Sequence, residues 1–247
     1  MTRFRGWALG VACLVVGGSA APPAAAAQDM CVAANGKVTY QSGTATCGAS
    51  GWGSTAIARG SGSTATASGW GSTAFATGSG STATATGGTR NSARATGANS
   101  TATAVQGDNN SATASGDGSR ATAGFGNGNT ARAGGTDSTA QAAGGNRNTA
   151  TASGDSAVAI ATDGNNNTAT ASGLNSTATA VQGDNNTATA SGDASRATAA
   201  FGNRNNAKAG GTDSTAQAAG GDNNTAVANA PTCVALAGPG PGDTQTC

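Results

Sequence analysis

A pair of alanines separated by one residue recurs along most of this chain at a nearly fixed spacing. Up to residue 83 each Ala-x-Ala pair begins nine residues after the previous one, and beyond it the step alternates between ten and nine. Two successive pairs make a 19-residue unit, and the unit at 99–117 is NSTATAVQGDNNSATASGD. A repeat of this length is one supersecondary unit that stacks on copies of itself. The first alanines are at 56, 65, 74, 83, 93, 102, 112, 121, 131, 140, 150, 159, 169, 178, 188, 197, 207, 216 and 226.

Each half of the unit alternates two kinds of side chain, as expected of a β-strand with two different faces. In the first half Ser100, Ala102 and Ala104 share one face, and in the second half Asn110 begins the equivalent series. These positions vary least between units, so we expect them to point inward. Coils then stack about 4.8 Å apart, and identical residues form ladders in which asparagine amides hydrogen-bond along the stack. The predicted structural ladder consists of Asn91, Asn110, Asn129, Asn148, Asn167, Asn186, Asn205 and Asn224.

The composition fits two alternatives, a disordered chain or a repeat fold with a core of small side chains. Glycine accounts for 41 of 247 residues and aromatic residues for 3%, which is far from an ordinary core. The prolines favour the ordered alternative, because all five lie outside the repeat, as expected if every strand donates to a neighbour. We predict an all-β protein, a single β-solenoid of about nine to ten 18–19-residue coils with two short strands per coil and disulfide-bonded caps.

The N-terminal segment 1–27 has the organisation of a secretory signal peptide. Arg3 and Arg5 precede an apolar run, and small residues up to Ala27 provide a cleavage site. The run is too short for a membrane span, and Cys13 leaves a lipoprotein signal as an alternative. We expect a secreted or cell-surface protein that begins near residue 28. Loss of both arginines leaves ten basic and eleven acidic residues, which argues against nucleic-acid binding.

Four cysteines remain in the mature chain, as one close pair near each end. An exported chain with an even number of cysteines favours disulfides, and we expect bonds Cys31–Cys47 and Cys233–Cys247. A zinc site is disfavoured because the chain has no histidine and no Cys-x-x-Cys. The ends of a stack expose unpaired strand edges, so the cysteine segments are predicted to be caps. The predicted divisions are a signal peptide at 1–27, an N-terminal cap at 28–52, the solenoid at 53–229 and a C-terminal cap at 230–247.

The repeat unit resembles the curlin repeat of bacterial curli fibres. That family has Ser and Gln separated by five residues, then Gly, then Asn-x-Ala. Ser100, Gln106, Gly107 and Asn110 match this pattern, and the segment 176–188 matches it again. The resemblance extends in pattern over about residues 81–227. It implies a stacked β structure and assembly of copies of the chain into fibres.

The unit also departs from the curlin pattern. It is shorter than the family unit, and Phe125 and Phe201 stand in place of the glutamine in two of the units. The second glutamine of the family is replaced by Gly116 and its equivalents. The first part of the chain, for example GSTAIAR at 53–59, is similar to head repeats of trimeric autotransporter adhesins. Those repeats have shorter coils and require a membrane anchor.

No arrangement of residues suited to catalysis is evident. The chain has no histidine for acid–base chemistry, and the expected disulfides leave no free thiol in the mature chain. Asp108 and Asp117 fall at predicted turns, where aspartate is a common residue. Calcium binding by these aspartates is an alternative, although the Gly-Gly-x-Gly-x-Asp run of calcium β-rolls is missing. We predict a protein that is not an enzyme, with no catalytic, cofactor-binding or metal-binding residues.

Outward rows of threonine are the remaining candidate surface. Thr-x-Thr pairs on a rigid β face resemble the ice-binding face of solenoid antifreeze proteins, although threonine is also simply a good exposed strand former. Arg94, Arg132, Gln141 and Lys208 interrupt the rows. The candidate surface-binding residues are Thr64, Thr66, Thr82, Thr84, Thr101, Thr103, Thr177 and Thr179.

The sequence therefore favours a secreted, non-catalytic structural or adhesive protein of the cell surface or extracellular matrix, with a curli-like fibre subunit as one form of it. Its expected partners are other copies of itself or ligands of the cell surface or matrix. The alternative is an ice-binding solenoid that uses the threonine rows.

Overall fold

The computed structural model describes residues 29–247, and all regular structure in this part of the chain is β-strand. The signal peptide predicted at 1–27 lies outside the described residues. Threonine alternates with alanine in most strands, so β-branched side chains occupy one face of each. The strands are β1 (Met30–Ala34), β2 (Lys37–Ser42), β3 (Thr46–Ser50), β4 (Thr55–Arg59), β5 (Thr64–Ser68), β6 (Thr73–Ala76), β7 (Thr82–Thr86), β8 (Ser92–Ala95), β9 (Thr101–Val105), β10 (Ser111–Ala114), β11 (Arg120–Gly124), β12 (Thr130–Ala133), β13 (Thr139–Ala143), β14 (Thr149–Ala152), β15 (Val158–Thr162), β16 (Thr168–Ala171), β17 (Thr177–Val181), β18 (Thr187–Ala190), β19 (Arg196–Ala200), β20 (Asn206–Ala209), β21 (Thr215–Ala219), β22 (Thr225–Ala228), β23 (Val234–Ala237) and β24 (Thr244–Thr246).

The strands form two stacked sheets. Sheet A has 13 strands and contains β1, β2 and every even-numbered strand from β4 to β24. Sheet B has 11 strands and contains the odd-numbered strands from β3 to β23. Among strands β3 to β24 all pairing is parallel, and equivalent residues of successive coils are aligned, as where Ala83 pairs with Ala102 and Ala102 with Ala121. The predicted all-β solenoid with two short strands per coil is confirmed.

The stack is slightly longer than the sequence predicted. Each strand of sheet B and the following strand of sheet A make one coil, which gives eleven coils in residues 29–247. The prediction of about nine to ten coils counted only the Ala-x-Ala strands β4 to β22. The segments predicted as caps contribute β3, β23 and β24, which continue the two sheets in parallel register.

The core between the sheets consists of columns of alanine, and each sheet adds one column of buried polar side chains. The two alanines of each Ala-x-Ala pair are almost completely buried. A serine before nearly every sheet-B strand and an asparagine before most sheet-A strands are equally buried, so the largest fully buried side chains are asparagines. One alanine methyl contributes only about 0.8 kcal/mol on burial. Backbone hydrogen bonds between coils must therefore supply much of the stability.

Both predicted disulfides are present, and both bridge the two sheets across the core. Cys31 of β1 lies opposite Ala58 of sheet A, and Cys47 of β3 lies opposite Ala65 of sheet B, so both cysteines occupy alanine positions. Their Cα atoms are 5.6 Å apart. The first coil is therefore joined to the preceding strand β1 through the interior.

The second disulfide closes the opposite end in the same way. Cys233 takes the place in the repeat that Ser214 has one coil earlier, and its carbonyl oxygen accepts a hydrogen bond from Thr215, as serine carbonyls do in the preceding coils. Cys247 follows β24 in the place that Ala228 has in the preceding coil, in line with the alanine columns of sheet A. The Cα atoms of Cys233 and Cys247 are 6.1 Å apart.

A β-hairpin covers the N-terminal end of sheet A. Strand β1 pairs antiparallel with β4 on one side and with β2 on the other, and the β1–β2 register shifts between Val32 and Ala33. Strand β2 is the edge strand, and Lys37 to Gln41 are exposed along it. A bulge and a lysine on an edge strand are features that hinder further strand pairing.

Candidate functional site

The asparagine ladder binds backbone groups rather than neighbouring amides. The Oδ1 atom of Asn110 accepts a hydrogen bond from the backbone N–H of Asn129 at 2.9 Å. The Nδ2 atom of Asn129 donates to the carbonyls of Gly145 at 2.8 Å and Gly124 at 3.0 Å. Each side-chain amide thus joins two successive coils and satisfies carbonyls at the turn. All eight predicted ladder residues are 0% exposed, so this ladder is part of the core and is inaccessible to a ligand.

The ladder begins where the coils lengthen by one residue. In the first coils the position holds serine, as in Ser72, after a three-residue turn of Gly69, Trp70 and Gly71. Asn91 follows a turn that is one residue longer, and its Nδ2 atom donates to the carbonyl of Gly107 at 2.8 Å. The first longer step in the Ala-x-Ala spacing and the change from serine to asparagine therefore occur together. The sequence contained this link, but our sequence analysis did not draw it.

A second ladder of acid and amide side chains runs along the outside of the same corner. The backbone N–H of Asp108 donates to Oδ1 of Asn127 at 2.7 Å, and that of Asn127 donates to Oδ1 of Asn146 at 2.9 Å. This corner ladder fixes the turns of successive coils to one another. Its side-chain acceptors are Asp108, Asn127, Asn146, Asn165, Asp184, Asn203 and Asp222.

The aspartates of the corner ladder hold backbone groups and do not cluster. The N–H of Thr89 donates to Asp108 Oδ1 at 2.8 Å, and this backbone hydrogen bond lowers the pKa of Asp108 from its ordinary value. Neutral asparagines separate Asp108, Asp184 and Asp222. Across residues 29–247 no three His, Cys, Asp or Glu side chains are placed to hold a metal ion. A polar groove of about 680 Å³ follows the ladder from Asn109 to Asp184.

Six of the eight predicted threonines form one continuous array on the outer face of sheet B. Strands β5, β7 and β9 are neighbours, and each carries two outward threonines. Neighbouring threonines lie about 4.8 Å apart between strands and about 6.7 Å apart along a strand. Arg120 of β11 and Gln141 of β13 interrupt the array. The array consists of Thr64, Thr66, Thr82, Thr84, Thr101 and Thr103, whereas Thr177 and Thr179 lie four coils further on.

An equivalent array is present on the opposite sheet, and our candidate list did not include it. Strands β14, β16 and β18 are neighbours in sheet A, and each also carries two outward, half-buried threonines. Arg132 and Lys208 bound it on either side. The recurrence of these pairs at the same place in successive repeat units would have revealed this grouping. The array consists of Thr149, Thr151, Thr168, Thr170, Thr187 and Thr189.

Tryptophans form a stack at the N-terminal end of the corner. The rings of Trp52 and Trp70 are 5.7 Å apart with an angle of 15° between their planes, and the guanidinium of Arg90 lies 5.1 Å from the ring centre of Trp70. Trp52 is 73% exposed. The stack follows from the alignment of the turns, because these residues occupy neighbouring coils.

Two phenylalanines are exposed further along the same side of the rod. Phe125 and Phe201 are 57% and 62% exposed, and both have a positive φ, of 54° and 55°. A bulky residue in the left-handed region is uncommon, since glycine and asparagine are more easily accommodated there. In the sequence these residues stand out only as departures from glutamine, whereas their exposure at a common position is evident from the structure.

These features define a class of protein, a two-sheet parallel β-solenoid with disulfides across the core at both ends. Comparison of the chain with protein-family models, with curated proteins and with solved structures yields no significant match. Residues 29–247 contain no helix long and apolar enough to span a membrane. The structural arrangement itself is therefore the basis for any functional conclusion.

Proposed function

We propose that this chain is a secreted, non-catalytic structural or adhesive protein of the cell surface or extracellular matrix. It acts as a stiff rod of eleven coils, about 50 Å long, whose lateral faces make repeated weak contacts. The observation that carries the proposal is the repetition of outward side chains in aligned columns along a rod that is bridged across its core at both ends. Such a surface offers several copies of one contact, and several weak contacts together give firm attachment.

The N-terminal edge of sheet A favours a rod of fixed length over an open-ended fibre. The edge strand β2 carries Lys37 and follows a bulge, and both features oppose the addition of another strand. Curlin-like growth by end-to-end stacking would need two open ends. The lateral faces, in contrast, are uninterrupted by the caps.

Electron microscopy and small-angle X-ray scattering of the purified, disulfide-bonded protein test this proposal. We expect rods of one length, with a longest dimension of about 50–60 Å for a single copy. Immunogold labelling of producing cells should place the protein outside the cell. Long fibres that bind amyloid dyes would instead support curlin-like stacking, and a protein retained in the cytoplasm would contradict an extracellular role.

Ice binding is the second candidate, and the flat threonine arrays favour it. Each array presents three adjacent strands with two threonine columns, so methyl and hydroxyl groups repeat in two dimensions. A thermal-hysteresis assay measures this activity directly. The variant Thr84→Lys, in the middle strand of the sheet-B array, should abolish the contribution of that face. The same change at Thr179, which lies outside both arrays, is the matched control. Absence of hysteresis and of ice shaping in the unaltered protein would end this proposal.

A further inference from the structure

A groove lies beside Phe201 on the outer face of sheet B. Its volume is about 390 Å³, which exceeds the size of one aromatic side chain. Phe201 forms one wall, Leu236 and Pro239 form the other, and Ala219 and Gly220 lie between them. Leu236 is 56% exposed, so both walls stand above the sheet in the described residues. A large apolar wall beside a floor of small residues is a shape that can receive an apolar side chain.

The residues around Phe125 occupy the same positions of the repeat, except that Asp163 stands where Pro239 stands beside Phe201. Gly144 follows Phe125 by one coil, as Gly220 follows Phe201, and Ile160 holds the place in its unit that Leu236 holds four coils later. Phe125 and Phe201 are likewise four coils apart, about 19 Å along the rod. Each unit of this surface is therefore a projecting phenylalanine followed, one coil later, by a glycine.

We propose that this face of sheet B binds a second copy of the chain in antiparallel orientation. The inference deepens the proposed lateral function and rests on it. A two-fold axis perpendicular to the rod reverses the order of the coils in the second copy. Phe125 then lies over Gly220 of the second copy, five coils away in its own chain, and Phe201 lies over Gly144 of the second copy. Each phenylalanine of the dimer then lies over a glycine of the other copy, because both Phe–Gly pairs have the same offset, and Phe125 enters the groove beside Phe201 of the second copy.

The residues between the two phenylalanines also match in this register. Asp163 occupies the same corner column two coils after Phe125, and Gln182 occupies it three coils after. The two-fold axis passes between their levels, so Asp163 faces Gln182 of the second copy. A carboxylate opposite an amide can form a hydrogen bond, whereas two opposed carboxylates would repel each other.

The same symmetry also separates the charges in the column at the start of the sheet-B strands. Arg120 and Arg196 begin strands β11 and β19 and point outward. In the antiparallel register Arg120 faces Thr215 of the second copy, and Arg196 faces Thr139 of the second copy. A parallel arrangement about an axis along the rod would place each arginine and each phenylalanine level with its own equivalent. The antiparallel dimer is therefore the arrangement with complementary shape and no opposed like charges.

Sedimentation equilibrium of the purified protein between about 1 µM and about 1 mM tests for the dimer. The double variant Phe125→Gln/Phe201→Gln removes both projections, and glutamine is the native residue of this column at Gln106 and Gln182, where φ is also positive. We expect its dissociation constant to rise about tenfold or more. The matched control Trp52→Gln removes an equally exposed aromatic side chain outside the proposed interface and should leave the dimer unchanged. A monomer over the whole concentration range, or a dimer that the double variant does not weaken, overturns the inference.

Distance measurement between spin labels at Thr64→Cys tests the orientation. Thr64 lies three coils before the coil of Phe125, outside the overlap of the two rods. The antiparallel register places the two labels eleven coil rises apart, about 53 Å along the rod, whereas a parallel face-to-face dimer places them about 10 Å apart. A short distance overturns the antiparallel arrangement.

The outcomes separate this inference from the proposed function. A monomer that still labels the outside of producing cells rejects the dimer and leaves the structural role intact. A protein that forms the dimer but remains inside the cell contradicts the structural role instead. Long fibres that grow equally well from the double variant contradict both the dimer and the rod of fixed length.

Discussion

The side-chain oxygen of Asn129 accepts a hydrogen bond from the backbone N–H of Asn148, one coil further along the rod, at 2.9 Å. This contact recurs from coil to coil between Asn91 and Asn224. It connects buried polar groups that would otherwise lack partners at the turn where the chain enters sheet A. The ladder therefore contributes to both the stability and the register of the stack.

The first prediction concerns this ladder. Replacing Asn148 by alanine leaves the N–H of Asn167 and the carbonyl of Gly164 without their partners in a buried site. We expect the free energy of unfolding to fall by about 2–4 kcal/mol in chemical denaturation. The control Asn166→Gly changes the exposed residue that precedes Asn167, and its φ of 56° suits glycine. A control variant that is as unstable as Asn148→Ala would contradict this account.

The thinness of the core leads to a second prediction. Ala150 is 0% exposed between the two sheets, whereas the next residue, Thr151, points outward. Valine at position 150 would force the sheets apart and lower the free energy of unfolding by about 1–3 kcal/mol. Valine at position 151 should change it by less than about 0.5 kcal/mol. Thermal denaturation of the two variants measures the contrast, and equal effects would show that the core has spare room.

The third prediction concerns the disulfides. Cys31 and Cys47 occupy alanine positions, so the double replacement by alanine preserves the shape of the sheets. The two cysteines are separated by 16 positions in the sequence, and loss of the bond should lower the free energy of unfolding by about 3 kcal/mol. Hydrogen exchange should accelerate in β3 and β4 and remain unchanged in β22. Replacing Cys233 and Cys247 by alanine should instead accelerate hydrogen exchange in β22 and leave β3 and β4 unchanged. Uniform acceleration along the rod in either variant would contradict a local effect of each disulfide.

The equivalence of coils predicts that whole units can be removed. Deletion of 126–201 joins Phe125 to Gly202, which has the same place in the repeat as Gly126. The shortened protein should fold, and small-angle scattering should show a rod about 19 Å shorter. Deletion of 126–202 shortens the joined turn to three residues, the length of the Gly69–Trp70–Gly71 turn, so this second variant tests whether the turn before Asn205 also accepts the shorter form. A 126–201 deletion that does not fold would contradict the equivalence of the coils.

The pKa of Asp108 predicts a pH effect of known sign. The backbone hydrogen bond from Thr89 holds this pKa below its ordinary value of 3.8, so the carboxylate stabilises the folded state at neutral pH. That contribution is present above the ordinary pKa and is lost as the pH falls through the lower pKa of the folded state. Asparagine keeps the acceptor, as at Asn127, so Asp108→Asn should reduce the acid sensitivity of the melting temperature. An NMR titration of the carboxyl group that shows a raised pKa would contradict the hydrogen bond.

The spacing of the alanines determined the two strands per coil, the inward face and the parallel stacking. Alanine occupies every second position of each strand, so one face of the strand is apolar. Because the same strand recurs in every repeat unit, stacking the units in register is the simplest way to bury that face. The sequence also determined which cysteines could pair, since each pair lies close together at one end of the repeat. These predictions needed only local geometry and periodicity.

Only the tertiary structure decided how the columns lie side by side. It showed that the asparagine amides bind backbone carbonyls of the next coil, that both disulfides cross the core, and that the threonines form one array on each sheet. It also placed Phe201 beside a groove floored by residues of the next coil. These relationships depend on which residues of different coils meet and on the shape of the turns, which a one-dimensional repeat does not specify.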